Sequence, residues 1–129
     1  MFGVYIASPY TIGDNFVNVQ RQIDAANKLL DAGLVPYAPL VMSAFMNMQR
    51  ERKPDEWMEY DYHWLDRCEV LLRLDGKSDG GDKEVSYAFN HNIMVYTNID
   101  ALISDYRSGL LEKTIGAAYS ACHMRKQND

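Results

Sequence analysis

Residues 70–91 read Val70-Leu71-Leu72-Arg73-Leu74, then Asp75-Gly76-Lys77-Ser78-Asp79-Gly80-Gly81-Asp82, then Lys83-Glu84-Val85-Ser86-Tyr87-Ala88-Phe89-Asn90-His91. The order of these three pieces decides the fold. A short apolar run predicts a buried strand over Val70 to Leu74. The small and polar residues after it make a loop, and a helix is expected from about Gly81 to His91. A further apolar run, Ile93 to Tyr96, predicts the next strand. A strand, a helix and another strand in this order make a parallel crossover, because a helix is needed to carry the chain back to the same end of the sheet.

The same alternation extends toward the N-terminus. Phe2 to Ala7 is apolar and stops at Ser8-Pro9, which suits a first buried strand. Asp14 or Asn15 can cap a helix in which Phe16, Val19, Ile23, Ala26 and Leu30 recur at helical spacing, with Gly33 as its stop. Leu34 to Tyr37 is a short second strand closed by Pro36 and Pro39. Residues 40–53 pass from a Met-rich stretch into Gln49-Arg50-Glu51-Arg52-Lys53 and are read as a short helix and a mobile loop. Pro54 opens a helix whose apolar stripe is expected to be Trp57, Tyr60, Trp64 and Cys68. Beyond Tyr96, helices are expected over Ile99 to Arg107 and Leu110 to Met124. The predicted class is α/β: one Rossmann-like or flavodoxin-like domain over residues 1–129, with four to five mostly parallel strands and helices on both faces. The last 30 or so residues are expected to be helical and available for contacts between subunits.

Composition limits what such a domain can do. The 129 residues are 47% hydrophobic and 24% charged, the balance of a globular protein. No apolar run approaches the ~20 residues that span a bilayer, and MFGVYIA lacks the basic flank of a signal peptide. A cytoplasmic location and no membrane partner are therefore expected. A net charge of −5 and a pI near 5.1 argue against a nucleic-acid polymer as partner, since phosphate backbones are held by basic faces. Cys68 and Cys122 stand far apart without a CxxC, so neither a disulfide nor a metal site is expected, and both read as buried small residues. His63, His91 and His123 are dispersed and have no acidic or thiol partner nearby in sequence. No cofactor is implied.

Ligands in open α/β sheets sit outside the carboxyl ends of the strands. Ser8, just past the first strand, offers a hydroxyl there. In the loop after the third strand, Ser78 offers another, and Gly80 and Gly81 let backbone amides approach a ligand at a helix N-terminus. A solvated turn that only caps the helix is the alternative, and Asp79 and Asp82 bring negative charge to it. Glu84 is expected in the first helical turn, where the dipole would favour a charged, nucleophilic carboxylate, although capping glutamates also stand there. Asp61 lies between Trp57 and Leu65 on an apolar helix face. Burying an acid is costly, so it calls for a hydrogen-bonding or functional reason. Tyr5 lies on the first strand, facing away from Val4 and Ile6.

Taken together, Val4-Tyr5-Ile6-Ala7-Ser8-Pro9-Tyr10, Asp61 followed by Cys68-Glu69-Val70-Leu71, and Ser78-Asp79-Gly80-Gly81-Asp82-Lys83-Glu84-Val85-Ser86-Tyr87-Ala88 resemble the nucleoside 2-deoxyribosyltransferase-like superfamily, over residues 2 to about 96. The resemblance implies that Glu84 is the nucleophile, Tyr5 orients it, and Asp61 is the acid near base and sugar. Ser78 stands where the transferases carry an aspartate and the 5′-monophosphate glycosidases carry a serine, which tilts the implied substrate toward a deoxynucleotide. It also implies a homodimer or larger homo-oligomer. The chemistry expected is cleavage of an N-glycosidic bond through a covalent deoxyribosyl intermediate on Glu84, resolved by water or by a second base. Two other readings compete: a nucleotide-binding or sensing module without catalysis, favoured by the acidic loop around Ser78, and an assembly protein that needs neither acid.

Overall fold

The computed structural model describes residues 2–117. Four strands form one sheet in the order β2-β1-β3-β4, all parallel: β1 (Gly3–Ala7), β2 (Val35–Tyr37), β3 (Val70–Arg73) and β4 (Met94–Tyr96). Five helices connect or follow them: α1 (Asn15–Asp31), α2 (Pro39–Gln49), α3 (Pro54–Leu65), α4 (Asp79–Asn90) and α5 (Ile99–Arg107). A sixth, α6, is helical over 110–117. The expected class, strand number and parallel order all hold. Ala118, Cys122 and His123, placed by the sequence on the last helix or near its end, lie outside the described residues.

Helices cover both faces. Val4, Ile6, Val70 and Leu72 meet Ala25 and Leu29 of α1, Leu102 and Ile103 of α5, and Leu111 of α6. Tyr5, Ala7 and Leu71 turn the other way, onto Leu65 of α3 and Ala88 of α4. The period of two along β1 thus sends Tyr5 to the opposite layer from Val4 and Ile6. Chain order reverses direction between β1 and β3, and this is the point where an open α/β sheet leaves a crevice at its carboxyl edge.

Two helix faces differ from those expected. The buried side of α1 is Asn18, Gln22, Ala25 and Leu29, one residue round from the predicted stripe, and Phe16 and Leu30 are exposed. The two polar residues decide this rotation. Asn18 Nδ2 donates to the carbonyls of Tyr10 (3.1 Å) and Ile12 (2.9 Å), while Gln22 Nε2 donates to Ile6 O (3.1 Å) and Ser8 Oγ (2.9 Å). Gln22 Oε1 accepts from Leu40 N at 3.1 Å. Backbone groups left unpaired in a buried corner are costly, so α1 turns its amides inward to meet them.

In α3 the fully buried residue is Leu65. Trp57, Tyr60 and Trp64 form an aromatic ladder on its flank instead of a core stripe: Trp57 meets Tyr60 at 5.6 Å, Tyr60 meets Trp64 at 6.5 Å, and Trp64 stacks on Tyr37 at 5.5 Å. Cys68 is only half-buried. Met-rich residues 40–53 resolve into α2 and a short extended link.

Candidate active site

β1 contributes Tyr5 from the middle of the sheet. Its ladder partners are Tyr37 on β2 and Leu71 on β3, and its phenol points into the layer of α3 and α4. From above, α4 lowers Glu84, which is 7% exposed, and α3 brings Asp61. Tyr5 interacts with both carboxyl groups and so joins the two acids. The contacts are close without being aligned hydrogen bonds: Tyr5 Oη, Asp61 Oδ1, Glu84 Oε2 and Tyr37 Oη are all buried polar atoms with no hydrogen-bond partner. Buried polar atoms are normally paired, so four such oxygens among neighbouring side chains mark this cluster as the candidate site.

The electrostatics follow from burial. Loss of water pushes Glu84 up to about 8; Tyr5 and the Arg73 guanidinium pull it down, and Asp61 adds to the rise. Burial likewise pushes Asp61 up to about 7, against a lowering contact with Tyr5. Desolvation, and after it the two negative neighbours, push the Tyr5 phenol well above its ordinary range, so it remains a hydrogen-bond donor. Near neutral pH the two acids together therefore retain at least one proton. The expectation that a helix dipole keeps Glu84 charged is overturned. α4 starts at Asp79 rather than Gly81, which places Glu84 in the second turn, and burial outweighs the fading dipole.

The loop residues divide. Ser78 caps α4, with Oγ accepting from Gly81 N at 3.0 Å. That bond uses the Gly81 amide that the sequence offered to a ligand, but it leaves the Ser78 hydroxyl proton to donate. Met58 covers Gly80: a Cβ there would stand 3.6 Å from its terminal methyl. Ser8 is buried and turned toward α1 by Gln22, so it does not face the acids. Tyr5, Asp61 and Glu84 are thus brought together, Ser78 and Gly81 stand at the head of the same helix, and Ser8 belongs to the other layer.

Two site residues escaped the sequence reading. Arg73 stands on the Glu84 side of the sheet because alternation from Leu71 puts it on the Tyr5 face, and a charged residue inside an otherwise apolar strand was the signal available. Tyr37 extends Tyr5 sideways, with ring centroids 5.8 Å apart; one tyrosine in a three-residue strand carries no such signal. His91 stacks on Tyr87 and His63 packs edge-on to Trp64. A shallow groove of about 410 Å³ runs along Tyr62, Asp82, Lys83, Ser86, Tyr87 and Asn90. It lies on the outer side of α4, and neither acid lines it.

A family model described as a domain of unknown function (DUF7768) matches residues 3–98, the span that holds all four strands and every residue of the acid cluster. No curated protein matches the chain.

Proposed function

The chain belongs to the DUF7768 family of domains of unknown function, and from its buried Glu84 and half-buried Asp61 we propose that it cleaves the N-glycosidic bond of a 2′-deoxynucleoside or a 2′-deoxynucleoside 5′-monophosphate. The observation that carries this reading is the convergence of Glu84, Asp61 and Tyr5, each with a side-chain oxygen buried and without a hydrogen-bond partner.

A glycosidic bond needs a nucleophile on one side and a proton on the other, and such a pair supplies both. A Glu84 oxygen attacks the anomeric carbon as the bond to the base breaks. The bonding electrons leave with the base, which takes its proton from Asp61. Positive charge developing on the sugar draws the pair toward ionised Glu84 and protonated Asp61, against the burial that raises the proton affinity of Glu84. Tyr5 donates to the attacking carboxylate and fixes its line. Water, or a second base, then adds to the anomeric carbon and frees Glu84, and Asp61 takes back a proton. The sugar lacks a 2′-hydroxyl, which would otherwise withdraw electrons and oppose the charge.

Ser78 at the head of α4 supports a 5′-phosphate, and Asp79 and Asp82 in the same turn oppose it, so both substrate classes belong in the test. A homo-oligomer is part of the proposal, supported by large apolar side chains that α1 and α2 leave exposed: Phe16 at 78%, Phe45 at 68% and Met48 at 81%.

The deciding experiment incubates the protein with a panel of deoxynucleosides and their 5′-monophosphates, with and without an acceptor base. Free base is expected from at least one of them, with Glu84→Gln inactive and folded. Undiminished release by Glu84→Gln removes Glu84 from the role. Ligand-induced thermal stabilisation with no release from any substrate favours a binding module, the reading that the self-satisfied Ser78 cap supports.

A further inference from the structure

Arg73 is the only charged residue in any of the four strands. It stands at the carboxyl end of β3 opposite Ala7, whose small side chain leaves room over the sheet. There its side chain is only 11% exposed. The guanidinium donates to the carbonyls of Leu74 and Gly76, the latter at 2.8 Å, and to Asp82 Oδ1 at 3.3 Å. It also lies against the backbone of α4: a Cβ on Gly81 would stand 2.9 Å from Nε and 3.0 Å from Cζ. One side chain thus ties the strand end, the loop and the first turn of α4 into a single unit, and Glu84 hangs from the next turn.

The surroundings of Glu84 give this cation a second effect. Tyr5 faces it from β1, Asp61 and Tyr62 face it from α3, and Tyr37 of β2 stands behind Tyr5. Each of these is neutral or, once ionised, negative. Arg73 is the positive charge that acts on Glu84, and a guanidinium keeps its proton at any working pH.

We propose that Arg73 is a positioning residue for Glu84: it clamps the β3–α4 loop to the head of α4 and supplies a counter-charge that favours the anionic form of the carboxylate on the next turn. The catalytic consequence rests on the reading of Glu84 as nucleophile; the clamp and the charge do not. The guanidinium lowers the proton affinity of Glu84 after the Tyr5 phenol does, against burial and the Asp61 charge, which raise it. Lysine can replace the charge but not the planar fork that reaches several acceptors at once.

The test follows the Glu84 carboxyl by carbon NMR in glutamate-labelled full-length protein, with its resonance assigned by loss in Glu84→Gln. Wild type, Arg73→Met, Arg73→Lys and Gly81→Ala are titrated. Arg73→Met is expected to raise the proton affinity of Glu84 by about threefold or more, and Arg73→Lys to restore most of it. Gly81→Ala keeps every charge and puts a better helix former into α4, yet pushes the guanidinium away, so it shifts Glu84 in the same direction. It decides the matter if Arg73→Met does not fold. In the base-release assay, Arg73→Met moves the acid limb of the pH profile to higher pH, whereas Arg73→Lys keeps the limb and loses kcat. A Glu84 titration unchanged within about twofold in the folded variants overturns the proposal. Absence of base release by wild type sinks the glycosidase reading alone, since the titration still decides Arg73.

Discussion

Glu84 and Asp61 show how burial sets chemistry at single residues. Both bind protons more tightly in the folded chain than in the unfolded one, so the fold loses stability as pH rises from the ordinary carboxylate range to about 7 for Asp61 and about 8 for Glu84. Glu84→Gln removes that cost. Its melting temperature is expected to exceed that of wild type above pH 8, by the equivalent of roughly 2–4 kcal/mol, with the gain fading toward pH 4.5. Equal melting at both ends of a pH series of thermal melts contradicts it. Activity should follow a bell, because the working form holds one proton on the pair: the rate falls when both acids are protonated and again when neither is, with its maximum between about 7 and about 8. Initial rates across pH check this, and a profile flat through that window refutes the shared proton. At this scale the sequence was partly legible. An acid on an apolar helix face marked Asp61, but the charge state of Glu84 was misread, because desolvation depends on what covers a residue and α3 covers this one from 20 or so positions away.

At the scale of elements, polar side chains that face inward hold the pieces in register. Gln22 joins the end of β1, the Ser8 hydroxyl and the first turn of α2. Gln22→Leu keeps the volume but strands these groups, and it should cost about 2 kcal/mol in urea unfolding; a loss under about 0.5 kcal/mol would show that the network contributes little. Gly76 has a φ of +112° and a Cβ there would meet Pro9 Cγ at 2.8 Å, so it closes the β3–α4 loop against the loop after β1. Gly76→Ala should destabilise through both strain and collision, by about 1–3 kcal/mol on the same measurement. Element type and order were readable, since periods of two and 3.6 survive in a single sequence. Which face of α1 goes inward was not. The apolar stripe Phe16, Val19, Ile23, Ala26 and Leu30 loses to a face one residue round, because Asn18 and Gln22 satisfy carbonyls that the local sequence does not reveal as buried.

For the whole molecule, exposed apolar surface is the feature that sheet and helices leave unresolved. Phe16 and Val17 on α1 and Phe45 and Met48 on α2 are each more than half exposed. Sedimentation velocity should show an assembly larger than one chain, shifted toward monomer by Phe45→Ser with Met48→Ser; a monomer at every concentration rejects the proposed oligomer. Among the described residues no helix is long and apolar enough to cross a membrane. The sequence by itself determined the α/β class, the parallel sheet and the side of β1 on which Tyr5 lies, because these follow from short-range periodicity and from the geometry of a crossover. Only the tertiary structure decided that Tyr5, Asp61, Glu84 and Arg73 meet, that Ser8 turns to the opposite layer, and that burial leaves the acids holding a proton. Distances between separate elements, and the water excluded between them, are set by packing that no local stretch of chain encodes.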